Sequence, residues 1–243
     1  MIPKVIHYCW FGRGEMPDLT LKCIASWKKY LPEYEIILWN EDNFDVNSYQ
    51  YAEEAYKENK FAFVADVCRL YVLKNKGGIY MDTDIEFIKP LDDEMLNDVA
   101  FTGFEDRLVS AGIMGSVKNG EWINDLLNYY NGISFYLADG GLNINPITET
   151  ITAIMKEKKS LVNDNTLQKI PNYCTIYPSD YFYPKSWMTL KTTITANTYC
   201  IHHFAASWLH NEYSFLGKAA NLLLGKRIAN SLSKKYREII AKK

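Results

Sequence analysis

Two aspartates, Asp82 and Asp84, are the residues of this 243-residue chain whose types and spacing most directly suggest chemistry. They follow a short apolar run, residues 79–81, that is predicted to be a strand. In an extended backbone, residues two apart point to the same side, so the two carboxylates should converge. Paired carboxylates repel each other unless a cation lies between them. The pair therefore predicts a site for Mn²⁺, or alternatively Mg²⁺, either of which also binds phosphate oxygens.

A second charged pair, Asp66 and Arg69, lies just upstream in a segment that is apolar nearly all round. Residues 61–74 are predicted to form a buried helix, in which charges are costly unless they are paired or used. One interpretation is an internal salt bridge. The other is that Asp66 contacts sugar hydroxyls and that Arg69 contacts sugar or phosphate. Both interpretations can hold at once.

The elements that must position these residues follow from the hydrophobic pattern. Residues 4–10 and 34–39 are predicted strands, and between them lies a helix, capped by Asp18 or Thr20, with an apolar stripe that includes Leu21. Helices are also predicted at 48–60, 122–130 and 147–158, and extended segments at 85–88, 99–104 and 113–117. Glycines 77 and 78 should close the buried helix. This pattern indicates an α/β domain with a parallel sheet, whose ligands bind at the carboxyl ends of the strands.

Three blocks of sequence resemble family 32 glycosyltransferases. Residues 62–92, AFVADVCRLYVLKNKGGIYMDTDIEFIKPLD, match the family signature A-D-x-x-R-x-x-x-L-x-x-x-G-G-x-Y-x-D-x-D. The opening IPKVIHYCWFG is similar to its first strand, and HHFAASW near the C-terminus is similar to its closing H-x-x-x-S-W segment. The large glucosylating toxins are more distantly similar. The resemblance implies a GT-A fold: a Rossmann-like nucleotide-binding domain with a mostly parallel central sheet and helical additions. It also implies a UDP-sugar donor and retention of configuration.

The resemblance assigns roles to residues of this chain. The catalytic set is Asp66, Arg69, Asp84 and Trp208. The donor-binding set is Ile6, His7, Tyr8, Trp10, Asp66, Arg69, Asp82, Ser207 and Trp208, with Trp10 stacking on the base or packing in the core. The metal set is Asp82, Asp84 and His203, with His202 as the alternative histidine. The indole N–H of Trp208 is expected to donate to a leaving phosphate oxygen.

The acceptor side is less defined by the family pattern. Family members often have a small-residue-Gly-Pro turn in the middle of the chain, and here residues 140–146 carry Asn145 in place of that glycine. Glu105, Asp106 and Asn143 are the candidates for acceptor contact. Glu105 and Asp106 could act as a base or could simply be surface acids.

Composition and charge predict a domain boundary and a cellular location. The net charge is −2, yet the segment from Gly217 onward has eight Lys or Arg against one acid, Glu238. Apolar residues recur there every four positions, which predicts a basic amphipathic helix at 217–243 after a glycosyltransferase domain at 1–216. This helix either packs on the domain or contacts anionic lipid. The five cysteines form no CxxC pair, and no secretory or transmembrane segment is recognised. We therefore expect a cytoplasmic protein. If the helix binds lipid, the protein would be peripheral at the inner face of the plasma membrane.

The predicted activity is transfer of a hexose or N-acetylhexosamine from a UDP-sugar to a glycan or lipid-linked saccharide. We expect a metal-dependent, retaining enzyme of cell-surface polysaccharide biosynthesis, such as capsule or lipopolysaccharide assembly. The alternatives are a non-catalytic nucleotide-sugar or glycan-binding module of the same fold, and a toxin-like enzyme that glycosylates proteins. A nucleotidyltransferase would need a glycine-rich phosphate loop, for which Gly12 and Gly14 are insufficient. A nucleic-acid partner is not expected, because the body of the chain is acidic and carries no recognition motif.

Overall fold

The computed structural model describes residues 1–186, 189 and 191–205. Within this part of the chain, residues Met1–Phe204 form one compact unit. The expected roles of Ser207 and Trp208, and the boundary that separates domain 1–216 from helix 217–243, fall outside the described residues.

Most of the strands form one mixed sheet in the order β2-β1-β3-β7-β5-β9-β8, with β6 beside β5. Strands β1 and β2, β1 and β3, and β5 and β9 pair in parallel, while β7 runs antiparallel to both β3 and β5. The expected α/β class with mostly parallel central strands is therefore confirmed. The strands are β1 (Val5–Cys9), β2 (Glu35–Trp39), β3 (Gly78–Met81), β4 (Ile85–Phe87), β5 (Ala100–Glu105), β6 (Leu108–Val109), β7 (Ile113–Ser116), β8 (Gln168–Ile170), β9 (Cys174–Tyr177) and β10 (Cys200–His202).

Strands β4 and β10 stand apart from this sheet and form a two-stranded antiparallel sheet of their own. Helix α1 (Asp18–Tyr30) anchors β4 through side chains. The Trp27 indole donates to the Ile85 carbonyl at 2.7 Å, and the Phe87 amide donates to Ser26 Oγ at 2.9 Å. This small sheet begins directly after the Asp82–Asp84 segment, so α1 fixes the backbone on that side of the site.

Except for the last one, which the sequence did not predict, the helices lie close to their predicted positions. Besides α1 they are α2 (Gln50–Lys57), α3 (Phe61–Lys76), α4 (Glu121–Tyr129), α5 (Ile147–Lys159) and α6 (Ser179–Phe182). The predicted cap of α1 is wrong: Pro17 occupies the N-cap, and no side chain caps the helix. Leu21 is 53% exposed, so it lies outside the apolar stripe that packs on the sheet. Among the described residues, no helix combines the length and the hydrophobicity needed to cross a bilayer.

Helix α3 is the buried helix expected from the sequence, since ten of its sixteen residues are buried. Its C-terminus turns into β3 through two glycines, Gly77 (φ +70°) and Gly78 (φ +105°). A Cβ on Gly78 would lie only 2.6 Å from the carbonyl oxygen of Val5 in β1. Only glycine fits this turn, because L-residues rarely adopt such φ values and no space exists for a side chain. The turn fixes where β3 begins and therefore where Asp82 lies.

The interior divides into two hydrophobic clusters. One contains most of α3 and the aromatic residues packed on it, and the other contains Trp27 of α1 and the aromatic side chains of α6. Successive residues of β1 point alternately into the two clusters, with Ile6 and Tyr8 in one and Cys9 in the other. All five cysteines are buried and free.

Candidate metal and nucleotide-sugar site

The two aspartates of the DxD triplet converge through a turn. Residues 82–84 lie between β3 and β4, and the Ile85 amide donates to the Asp82 carbonyl at 3.1 Å. The expectation of a continuous extended backbone is therefore wrong, although the carboxylates do converge. The reason is the change of sheet: β3 belongs to the large sheet and β4 to the small one, so the chain bends sharply at the triplet.

A histidine from the far end of the described chain joins the two aspartates. Asp82, Asp84 and His202 each offer a ligand atom, and these atoms all lie within 4.8 Å of one another. Strand β10 brings the histidine there, because His202 pairs with Ile85 of β4 and the His203 amide donates to the Asp84 carbonyl at 3.0 Å. His202 Nε2 lies 3.2 Å from Asp84 Oδ1.

His203, the histidine preferred from the sequence, does not lie in this cluster. Its Nε2 lies 2.7 Å from Glu86 Oε2, the oxygen that also accepts a 2.8 Å hydrogen bond from Lys22. Consecutive residues of an extended segment point to opposite sides, so only one of the two histidines can face the aspartates. The geometry therefore brings His202, the alternative kept open above, and not His203, beside Asp82 and Asp84.

Acidic and aromatic side chains surround the His202 imidazole. Burial by itself would lower the pKa of His202, but Asp84 and Glu105 outweigh it and raise the pKa to about 10. The rings of Tyr183 and Phe204 pack on the imidazole at centroid distances of 5.7 Å and 4.3 Å. The carboxylates of Asp84 and Glu105 therefore make the surroundings of the imidazole favourable for positive charge.

Asp82 is oriented by three groups. Its Oδ1 accepts a 2.9 Å hydrogen bond from the Tyr80 hydroxyl and lies 3.2 Å from Arg69 Nη1, and its amide donates to the Gly112 carbonyl at 2.8 Å. Burial raises the pKa of Asp82, repulsion from Asp84 adds to the rise, and Arg69 opposes it. This carboxylate is therefore held in place before any ligand binds.

Arg69 and Asp66 form the internal salt bridge predicted from the sequence. Arg69 Nη2 lies 2.9 Å from Asp66 Oδ1, and the two side chains are 6% and 9% exposed. The guanidinium also donates to the carbonyls of Ala111 at 2.8 Å and Ala65 at 3.3 Å, and it lies over the Tyr80 ring. Burial raises the pKa of Asp66 to about 7, although Arg69 acts in the opposite direction. The guanidinium thus links Asp66 to Asp82, and the contacts of both residues with a sugar stay predictions.

The first-strand residues expected to bind the donor differ in accessibility. Ile6 and His7 are completely buried, and Tyr8 is 9% exposed. His7 Nε2 lies 2.9 Å from the Gly77 carbonyl, and its Nδ1 accepts a hydrogen bond from the Trp39 indole at 3.1 Å. Trp10 is partly exposed, with its indole N–H donating to the Gly14 carbonyl. Side-chain contact with a nucleotide is therefore open to Trp10 and closed to Ile6 and His7.

Of the three acceptor candidates, only Glu105 reaches the aspartate–histidine cluster. Its Oε2 lies 3.5 Å from His202 Nδ1 and accepts a 2.9 Å hydrogen bond from the Ser110 hydroxyl. Asp106 follows it in an exposed turn with φ +53°. Asn143 is held elsewhere by its backbone, whose carbonyl accepts from the Tyr51 hydroxyl at 2.9 Å.

Sequence reasoning missed three residues that support the site: Ser110, Gly112 and Tyr183. A Cβ on Gly112 would lie 3.3 Å from both Asp82 Oδ2 and the Tyr183 hydroxyl, so glycine allows the close approach. The Tyr183 hydroxyl accepts a 2.8 Å hydrogen bond from the Ile113 amide. None of the three belongs to a recognisable motif, because contacts distant in sequence bring them to the site.

The three potential ligand side chains of this cluster fit a divalent cation. Two carboxylates and one imidazole offer ligand atoms within 4.8 Å of one another, and the Nδ1 atom of that imidazole is buried without a hydrogen-bond partner among the described residues. Carboxylates suit Mg²⁺ and Mn²⁺, and a nitrogen ligand suits the transition metal better than Mg²⁺.

The class of the protein follows from comparison with known families. Residues 17–102 match the family described as a glycosyltransferase sugar-binding region containing the DXD motif. The match includes Asp66, Arg69, Asp82 and Asp84 and ends before His202. Residues 17–102 thus carry the DXD-containing glycosyltransferase region, and the family resemblance found in the sequence is confirmed.

Individual relatives belong to the same class. Inositol phosphoceramide mannosyltransferase 3 of Schizosaccharomyces pombe is 32% identical over 95 residues, which cover 37% of this chain and 26% of that protein. Uncharacterized glycosyltransferase L373 of Acanthamoeba polyphaga mimivirus is 24% identical over 216 residues, covering 86% of this chain and 84% of that protein. The chain spans 20% and 26% of the lengths of two of its curated relatives. Among solved structures, the PaToxG glycosyltransferase is similar with a TM-score of 0.49 and 20% identity, covering 65% of this chain and 70% of that one.

Proposed function

We propose that this protein is a metal-dependent glycosyltransferase that moves a hexose or N-acetylhexosamine from a nucleotide sugar to a glycan or lipid-linked saccharide. The observation that carries the proposal is the convergence of Asp82, Asp84 and His202 within 4.8 Å at the carboxyl end of β3. Ligands of α/β proteins bind at this end of the strands. A divalent cation held there supplies Lewis-acid stabilisation of the charge that develops on a leaving diphosphate.

The residues around the cluster hold the donor sugar in this proposal. Asp66 and Arg69 lie directly behind Asp82, so the salt bridge between them positions the Asp82 carboxylate. The Asp66 carboxylate also accepts hydrogen bonds from sugar hydroxyls, and Trp10 stacks on the base at the end of β1. We place the reaction in the retaining class on the family resemblance: the acceptor hydroxyl attacks on the face that the diphosphate leaves and gives its proton to a leaving phosphate oxygen.

The identity of the donor divides this proposal into two versions. The family resemblance supports a UDP-sugar, whereas similarity to a mannosyltransferase supports an activated mannose. A panel of UDP- and GDP-linked hexoses, scored by nucleoside diphosphate release with Mn²⁺, separates the two. Cell-surface polysaccharide or lipid-linked saccharide is the acceptor class we propose, at the cytoplasmic face of the membrane.

Asp84→Asn provides the sharpest test of the metal role. The variant keeps the shape of the side chain but removes one negative ligand, so donor turnover with added Mn²⁺ should fall at least about 100-fold, as for the loss of other transition-state electrostatics. Glu33→Gln is the matched control: it makes the same charge change at a residue that is 74% exposed and pairs with Lys4 before the start of β1. Near-normal turnover by Asp84→Asn would remove the metal from the mechanism. Donor binding without turnover by the unaltered protein would instead favour a non-catalytic binding module.

A further inference from the structure

One nitrogen of the His202 imidazole has no role in the chemistry proposed above. Nε2 faces Asp84 Oδ1 at 3.2 Å, whereas Nδ1 is buried and has no hydrogen-bond partner among the described residues. Glu105 Oε2 lies 3.5 Å from Nδ1, just beyond a normal hydrogen bond. A buried polar atom without a partner is costly, so a small closure of this gap would be favourable.

Glu105 is itself held in place toward the imidazole. The Ser110 hydroxyl donates to Glu105 Oε2 at 2.9 Å, and Ser110 is only 1% exposed. The Gly112 amide donates to Ser110 Oγ at 3.2 Å, and the Gly112 carbonyl accepts from the Asp82 amide at 2.8 Å. A continuous series of hydrogen bonds thus joins Glu105 to the backbone of the DXD triplet.

Aromatic packing restricts the imidazole plane. Tyr183 meets the ring of His202 edge-on, with an interplanar angle of 77°, and Phe204 packs against it at 4.3 Å between centroids. With the ring orientation restricted, the remaining variable is which nitrogen carries the proton. A proton on Nδ1 leaves the lone pair of Nε2 facing the aspartates.

We infer that Glu105 is a positioning residue that accepts the Nδ1 proton of His202 in a hydrogen bond and so aims Nε2 at the cation between Asp82 and Asp84. Histidines that bind metals generally donate their other N–H to a carboxylate or carbonyl group. The inference rests on the proposed function, and it replaces the acceptor-contact role that the sequence suggested for Glu105.

Mn²⁺ affinity, measured by the electron paramagnetic resonance of free Mn²⁺, tests the inference without using activity. Glu105→Ala and Glu105→Met remove the acceptor, and the latter keeps the length of the side chain. Both should raise the Mn²⁺ dissociation constant about 10- to 100-fold, the usual effect of losing such a partner. Glu105→Gln keeps a carbonyl oxygen that can accept from Nδ1–H, so it should retain more affinity than either. Glu33→Gln should bind Mn²⁺ as the unaltered protein does.

A second readout reports the tautomer directly. The chain has four histidines, so the ¹⁵N ring resonances of His202 can be assigned by comparison with His202→Gln. In the Mg²⁺-saturated protein we expect the proton on Nδ1, and in Glu105→Met a mixture of tautomers.

The outcomes separate this inference from the proposed function. If the unaltered protein binds Mn²⁺ and Asp84→Asn does not, but Glu105→Ala and Glu105→Met bind normally with an unchanged His202 tautomer, the positioning role is overturned and the metal site stands. If the unaltered protein binds no Mn²⁺, the metal site itself is overturned and the role of Glu105 with it.

Discussion

Arg69 is the residue on which the interior of the site depends most. Its guanidinium is 6% exposed and contacts two carboxylates, those of Asp66 and Asp82, as well as two backbone carbonyls. A lysine could not replace it, because an ammonium group has neither the planar fork nor the reach to bind all four acceptors together.

Replacing Arg69 with methionine should lower the free energy of unfolding by about 3–5 kcal/mol, since it leaves buried carboxylates unpaired. Adding Asp66→Asn to the same chain should recover part of that loss, because one unpaired charge disappears. Arg13→Met, at a residue 58% exposed and paired with Asp42, is the control and should change stability little. Denaturant unfolding of the unaltered protein and the three variants measures the effect, and a double variant no more stable than Arg69→Met would contradict the assigned pairing.

His7 supplies a pH dependence that does not involve the metal site. Burial lowers its pKa, the bond to the Gly77 carbonyl opposes this, and Lys76 lowers it further. The unfolded chain therefore takes up the proton first. Stability is fully present above the unfolded pKa of about 6.5 and falls by up to about 1.4 kcal/mol per pH unit as the pH drops below it.

In His7→Gln this part of the pH dependence should vanish, because glutamine does not titrate. Unfolding free energies of both proteins, measured at intervals from pH 7.5 to 5, isolate the contribution of His7 from that of other groups. Parallel curves for the two proteins would show that His7 does not titrate on unfolding in this range.

The two histidines show where prediction from sequence ends at this scale. Asp82, Asp84, Asp66 and Arg69 could be chosen from spacing and from the cost of burying charge. The choice between His202 and His203 could not be made from the sequence, because it depends on the register of β10 against β4. These two segments are more than one hundred residues apart. One step in that register would exchange the two side chains.

At the scale of elements, the turn between α3 and β3 sets the position of the DXD triplet. Its glycines could be predicted as a helix end, and both have positive φ values. The turn at residues 82–84 could not be predicted, because the apolar residues on both sides of the triplet give one continuous extended pattern. What separates β3 from β4 is the anchoring of β4 by Ser26 and Trp27, which no local pattern reveals.

Gly78→Ala should therefore lower both the stability of the protein and its affinity for Mn²⁺. The φ of +105° is unfavourable for alanine, and the added Cβ would collide with the Val5 carbonyl 2.6 Å away. Strain of this kind costs about 1–3 kcal/mol before the collision is counted. Gly14→Ala is the control for stability, because a Cβ there would have nothing within 4 Å. Thermal unfolding and Mn²⁺ binding measure the two effects, and a Gly78→Ala protein as stable as Gly14→Ala would refute this account of the turn.

At the scale of the whole molecule, charge is divided unevenly along the chain. The segment from Gly217 onward is basic although the whole chain has a net charge of −2. A basic segment attracts anionic lipid at about 1 kcal/mol for each Lys or Arg near the surface, and the attraction is screened by salt. This segment lies outside the described residues, so its contact with a membrane stays a prediction from sequence.

The full chain should sediment with liposomes containing phosphatidylserine at low salt and should be released at about 0.5 M salt, where screening is strong. Neutral phosphatidylcholine liposomes are the control. Changing Lys234 and Lys235 to glutamine should weaken sedimentation without altering Mn²⁺ binding. If the chain stays in the supernatant with anionic liposomes, the basic residues do not bind anionic lipid.

The position of His202 has a consequence for synthesis of the protein. The DXD-containing region ends at residue 102, but the imidazole that completes the proposed cation site is one hundred residues later, on the strand that pairs with β4. A nascent polypeptide that has emerged only as far as the acidic triplet holds two of the three ligands. Under the proposed function, a nascent chain cannot turn over the nucleotide sugar until β10 has been translated. Incomplete chains on the ribosome are therefore inactive.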